Sequence, residues 1–181
     1  HIADTLGGSA VITTAGDSRL GFALDEPPAG WRIADRRTAK DVTAALLAGL
    51  PVALMNDRPG VDTAWLTDSA AFGDEGETSI RISDQAATSE TGVVLHPAVL
   101  TVGIGCERGA SASEVTNLVR ETLADAGLSD KAVACIVSLD LKSDEPAVHA
   151  AAADLGVPAR FFNADALEAE TPRLANPSDI V

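Results

Sequence analysis

Apolar residues follow two alternating spacings along the second half of this chain. Val99, Leu100, Val102 and Ile104 make a short β-branched run ended by glycines, the pattern of a strand buried on both faces. Val115, Leu118, Val119, Thr122 and Leu123 then recur at i, i+3, i+4, i+7 and i+8, which is one face of a helix. Ser111 and Glu114 stand ahead of it at the S-x-x-E spacing of a capping box, and Gly127 ends it. Residues 132–137 (AVACIV) read as a second buried strand, and residues 138–143 as a loop. A helix begins around Asp144 to Pro146, where proline is tolerated in the first turn; Val148, Ala152 and Leu155 form its buried face. Arg160, Phe161 and Phe162 predict a third strand, and residues 165–168 a short last helix. Strands alternating with helices of this length predict an α/β fold, a parallel βαβ sheet with right-handed crossovers and helices on both faces.

The first half is patterned less sharply. Residues 2–6 read as the end of a helix, residues 10–14 (AVITT) as a strand, and residues 16–30, with Pro27-Pro28, as a connector. Thr38 can cap a helix carrying Val42, Ala45 and Leu46 on one face, stopped by Gly49 and Pro51. Residues 52–55 make a short strand, residues 66–78 an exposed loop, and residues 80–82 an edge or half-buried strand. A polar stretch through Thr91 leads to Val93-Val94-Leu95. The divisions this predicts are residues 1–30, a small α/β middle unit over 31–96, and a third unit over 97–181.

Composition narrows the function. The chain has 181 residues, 46% of them hydrophobic, with mean hydropathy +0.14, so it can bury a real core. No apolar run approaches the length of about 20 residues that spans a bilayer, and nothing at the start resembles a signal peptide. The first residue is His1, which reads as a chain trimmed at its amino end. Cys106 and Cys135 have no metal-ligand spacing and suit a reduced, cytoplasmic setting. The formal net charge of −14 argues against nucleic acid or anionic lipid as partner. Lysine occurs only at positions 40, 131 and 142, so a cation at a strand end is informative.

Chemistry is therefore sought where the strands end. Gly103, Gly105 and Gly109 give G-x-G-x-x-x-G between a strand and a helix. This is not the dinucleotide fingerprint, whose third glycine comes one residue earlier. It reads either as a tight turn or as a loop that cradles an anion at a helix N-terminus, near Ser111. Cys106 has a helix N-terminus and Arg108 nearby, both of which stabilise a thiolate, yet a small buried thiol is the preferred reading. Arg108 in one loop, and Ser138, Asp140 and Lys142 in the next, open at the same end of the sheet, where α/β folds bind ligands. The plainer alternative is that Arg108 and Lys142 pair with Glu107 and Asp140. His96 and His149 stand isolated, and Trp31 and Trp65 read as packing residues.

Taken together, GIGCERG before a capped helix, VSLDLKSDEP, LGVPARFF and NPSDIV resemble the carboxyl-terminal domain of the cobalamin biosynthesis family CbiG, which also exists alone as CobE. GWRIADRRTAKDVTAALLAGLPVALMND resembles the small middle domain, and HIADTLGGSAVITTAGD the tail of the amino-terminal one. The resemblance implies cobalt-precorrin-5A hydrolase chemistry, opening the ring-A lactone and releasing acetaldehyde; the alternative is a non-catalytic, CobE-like corrinoid carrier. It implies a cobalt-precorrin tetrapyrrole as ligand, with cobalt carried by the substrate and no resident cofactor or metal. It leaves open a homodimer or contacts with other corrin-pathway enzymes. Gly103, Gly105, Cys106, Arg108, Gly109, Ser111, Ser138, Asp140 and Lys142 are the expected substrate-binding residues; none is assigned a catalytic role. Most of the family's amino-terminal domain, and its final helix and strand, have no counterpart in this sequence, which reads as a fragment or a shortened protein.

Overall fold

A computed structural model of the chain describes Thr5, Gly7 and residues 19–87 and 92–175. The strand expected at 10–14 and the NPSDIV segment lie outside the described residues. Two compact units form; residues 83–87 belong to the second, and the last crossing between the units falls inside one strand, between Leu95 and His96.

The first unit contains β1 (Trp31–Ile33), α1 (Ala39–Leu47), β2 (Val52–Asn56), α2 (Ala64–Thr67), β3 (Thr78–Ile82) and most of β4 (Val93–Pro97). Its sheet runs β1-β4-β3-β2, and β3 pairs in parallel with both neighbours, Leu54 opposite Ile80 and Ile82 opposite Leu95. The sequence suggested an edge or half-buried strand at 80–82. β3 is not an edge strand, but it is half-buried as the alternation predicts: Ile80 and Ile82 are fully buried with Val42, Val52, Leu66 and Leu95, while the Arg81 side chain between them is 39% exposed. The connector also contributes to the core, because Phe22 and Leu24 are buried in the same cluster. Trp31 and Trp65 pack edge to face, ring centroids 5.4 Å apart. Part of the expected loop at 66–78 is structured, since α2 extends through Thr67 and buries Leu66. Thr38 does precede α1, but its hydroxyl donates back to Asp35 O at 2.9 Å instead of accepting from the helix. Gly92 enters β4 at φ +115°, and a Cβ there would collide with Ser79 O.

The second unit contains β5 (Leu100–Gly103), α3 (Ala112–Asp125), β6 (Val133–Leu139), α4 (Pro146–Leu155), β7 (Ala159–Phe162) and α5 (Ala164–Glu168). Its sheet is parallel, in the order β5-β6-β7. The α/β class and the βαβ units are as expected. Helices on both faces would need the strand order to reverse, because right-handed crossovers stepping one way leave their helices on one side. Among the described strands of this sheet the order does not reverse. Accordingly α3 and α4 share a face, where Val115, Val119 and Leu123 meet Val133, Ala147 and Ala151.

β5 also differs from its expected burial. It is an edge strand, with Thr101 and Gly103 exposed and Leu100 and Val102 half-buried. Residues 83–87 lie along the turn after α3: Ala86 N–H donates to Gly127 O and Asp84 O accepts from Ser129 N, each at 2.8 Å. Among the described residues no helix is long and apolar enough to cross a membrane.

Candidate functional site

The loops after β5 and β6 are joined at three levels. Deepest is the buried Ser138, whose Oγ donates to Ile104 O at 2.7 Å. Next, Gly109 N–H is shared between both carboxylate oxygens of Glu145 at 3.2 Å each. Outermost, Arg108 Nη1 donates to Asp144 Oδ1 at 2.6 Å and Nη2 to Leu141 O at 2.5 Å. Gly109 reaches its place through a left-handed turn at φ +73°, which favours glycine.

Each piece follows from local sequence. Ser111 N-caps α3, its hydroxyl accepting from Glu114 N at 3.5 Å, so the loop must close before it. Strand β6 runs on to Leu139, and a single 3-10 turn over Asp140–Lys142 replaces the expected loop. Pro146 at the start of α4 leaves Glu145 as the N-cap, buried to 2% exposure. The partial positive charge at that helix N-terminus favours a carboxylate there.

The expected site residues therefore separate into groups. Arg108 and Lys142 do share one end of the sheet. Arg108 pairs with Asp144 rather than Glu107, and holds that carboxyl below its ordinary range by hydrogen bonding. Lys142 is half-buried and makes no ion pair among the described residues, while its charge adds slightly to the lowering at Asp144. Asp140 is exposed at the start of the turn. Cys106 is half-buried and packs on the apolar clusters beneath both helices. Gly109 and Ser138 bind the protein's own groups. Gly103 and Gly105 face elsewhere, into a groove of about 360 Å³ between β5 and α3. His149 Nε2 donates to Ser143 O at 2.7 Å, and it leans on Phe161.

The groove and the loop end suit different ligands. Thr101, Leu118, Thr122 and Leu128 line the groove with the two glycines, and among the described residues no charged side chain does. It cannot answer the charge of a polycarboxylate. The loop end offers Lys142, the unused N–H groups of a guanidinium 59% exposed, and the exposed Leu141. Glu145, Asp144 and Leu141 were not singled out by sequence; the acid pair directly before Pro146 is the signal that could have found the first two. Among the described residues no group of three or more His, Cys, Asp or Glu is placed to hold a metal ion.

Comparison with known proteins covers both units. Residues 27–97 match the family described as the cobalamin biosynthesis central region, and residues 100–181 the one described as the cobalamin synthesis G C-terminus. The chain belongs to the CbiG family. Over 82 residues it is 50% identical to Protein CobE of Sinorhizobium sp, a match covering 45% of this chain and 53% of that protein. Over 98 residues it is 33% identical to the cobalt-precorrin-5A hydrolase of Priestia megaterium, covering 54% and 26%. The crystal structure of CobE, a protein from the cobalamin (vitamin B12) biosynthetic pathway, aligns at 37% identity and TM-score 0.42, over 46% of this chain and 59% of that one. The chain thus spans about half the length of CobE and about a quarter of the hydrolase. Both clipped loops fall inside the CbiG carboxyl-terminal region.

Proposed function

We propose that this CbiG-family chain acts in corrin-ring biosynthesis by holding a cobalt-precorrin at the carboxyl end of the β5-β6-β7 sheet. The observation that carries this is the Arg108–Asp144 clip, with Lys142 beside it. It fixes two βα loops and leaves a cation unpaired among the described residues of a chain whose net charge is −14. A tetrapyrrole bearing acetate and propionate groups supplies the carboxylates that such a cation attracts, and ionised hydrogen bonds of this kind are the stronger ones. Cobalt enters as part of that ligand, and the chain needs no cofactor of its own.

On this reading the chain contributes the ligand-holding part of a cobalt-precorrin-5A hydrolase. Lactone opening requires an activated water and stabilisation of the oxyanion, tasks for further groups around the bound macrocycle. The carrier reading, without chemistry, has its own support in the 50% identity to CobE. Two measurements decide. Titration of the chain with a carboxylated cobalt corrin, followed by absorbance, should give saturable binding; absence of binding rejects the site. Acetaldehyde release from cobalt-precorrin-5A then marks a hydrolase, and binding without release marks a carrier.

A further inference from the structure

We infer that Leu141 is the apolar contact for the macrocycle, and that Arg108 is a positioning residue that presents it together with Lys142. This inference rests on the proposed corrinoid site and divides the labour within it. Leu141 is 68% exposed, the most exposed large apolar residue among those described. A single exposed leucine is ordinary on a protein surface. This one differs because its backbone is fixed. The 140–142 turn closes through Ser143 N–H to Asp140 O at 2.9 Å. Arg108 then spans the turn, one nitrogen on Leu141 O and another on Asp144 Oδ1, from a loop 33 residues away.

The side chain is thus held outward with its backbone entropy already spent, a preorganised apolar group that none of the described residues of this unit covers. A second exposed apolar residue, Phe162 (41%), ends β7, the strand that packs against this same turn. A flat, largely apolar ring with a charged rim matches that order of groups: leucine for the ring, Lys142 for the rim. Arg108 already gives two of its nitrogens to the protein, so its part is to hold the turn.

Two probes separate the roles: dicyanocobyrinic acid, a cobalt corrin with free carboxylates, and dicyanocobinamide, whose side chains are amides. Affinities are measured for the full chain and for Leu141→Ala, Leu141→Met, Lys142→Ala and Arg108→Lys. Leu141→Ala should weaken both probes about tenfold, the scale of losing one apolar side-chain contact. Leu141→Met should restore most of that loss. Lys142→Ala should weaken only the carboxylated probe. Arg108→Lys keeps the charge but loses the fork that bridges two acceptors, and should weaken both. Unchanged affinity in Leu141→Ala for both probes overturns the inference while leaving the site in place. Failure of the unmodified chain to bind either probe overturns the proposed function itself.

Discussion

Arg108 and Asp144, 36 residues apart in sequence, meet at 2.6 Å across the two loops that open at one end of the β5-β6-β7 sheet. The pair lies in solvent, with side-chain exposures of 59% and 71%, so its value is geometric more than energetic. The hydrogen bond from Arg108 lowers the Asp144 carboxyl below its ordinary 3.8, aided by Asp144's own backbone N–H. A depressed carboxylate keeps its pairing above the ordinary value and loses it as pH falls through the lowered one. A carbon-13 titration of Asp144 should therefore show a midpoint under 3.8, rising towards it in Arg108→Ala. An ordinary midpoint in the unaltered chain would show that the clip does not persist in solution.

Glu145 should matter more to stability than Asp144, although both precede the same helix. Its carboxylate is buried and satisfies Gly109 N–H, so Glu145→Ala leaves that donor without its partner. The expected cost is about 1–3 kcal/mol in chemical denaturation. Glu145→Gln still offers an oxygen to Gly109 and should cost less. Equal losses in the two variants would show that the charge, rather than the acceptor, is what the loop requires.

The second unit was largely legible because its apolar spacings are local, and helix and strand periods show directly in sequence. Burial was harder to read, since it depends on neighbours distant in the chain. The run around Val102 has the composition of a strand covered on both faces, yet it lies at an edge with Thr101 exposed. The alternation of Ile80 and Ile82 about Arg81 shows which face of β3 is buried but not its place in the sheet, which is interior because β4 returns beside it from the far side of a polar stretch. Arg108 could be placed near the carboxyl end of the sheet by spacing alone. Its partner could not, because nothing local distinguishes Asp144 from Glu107 or Asp140.

Two residues on the unit's apolar pattern should respond oppositely to truncation. Ile136 is fully buried against Val148 and Ala152, and Ile136→Ala should cost about 2–5 kcal/mol. Leu118 shares the helical stripe of Val115 yet is 61% exposed, because Val119 and Leu123 carry the inward face of α3. Leu118→Ala should change stability by no more than about 0.5 kcal/mol. Urea melts of both variants check this. A large loss at Leu118 would mean that α3 turns a different face inward from the one carrying Val119 and Leu123.

His96 gives the fold a defined response to acid. It is 1% exposed, and Nδ1 lies 2.7 Å from Ser83 O; a carbonyl only accepts, so Nδ1 carries the proton. Burial pushes its pKa below the ordinary 6.5, and Lys131 adds to this, against the hydrogen bond to Ser83 and the nearby Asp130 and Asp84, which act the other way. Below 6.5 the unfolded chain takes up a proton that the folded chain resists, so folding stability is full above that pH and falls beneath it. The slope this one group can add is at most about 1.4 kcal/mol per pH unit. His96→Asn keeps an N–H donor suited to Ser83 O but cannot titrate. Denaturation at pH 7.5 and about two units lower should therefore show a smaller difference between the two conditions in His96→Asn than in the unaltered chain. An identical pH dependence in both would mean that His96 titrates normally when folded and is not the source of the acid sensitivity.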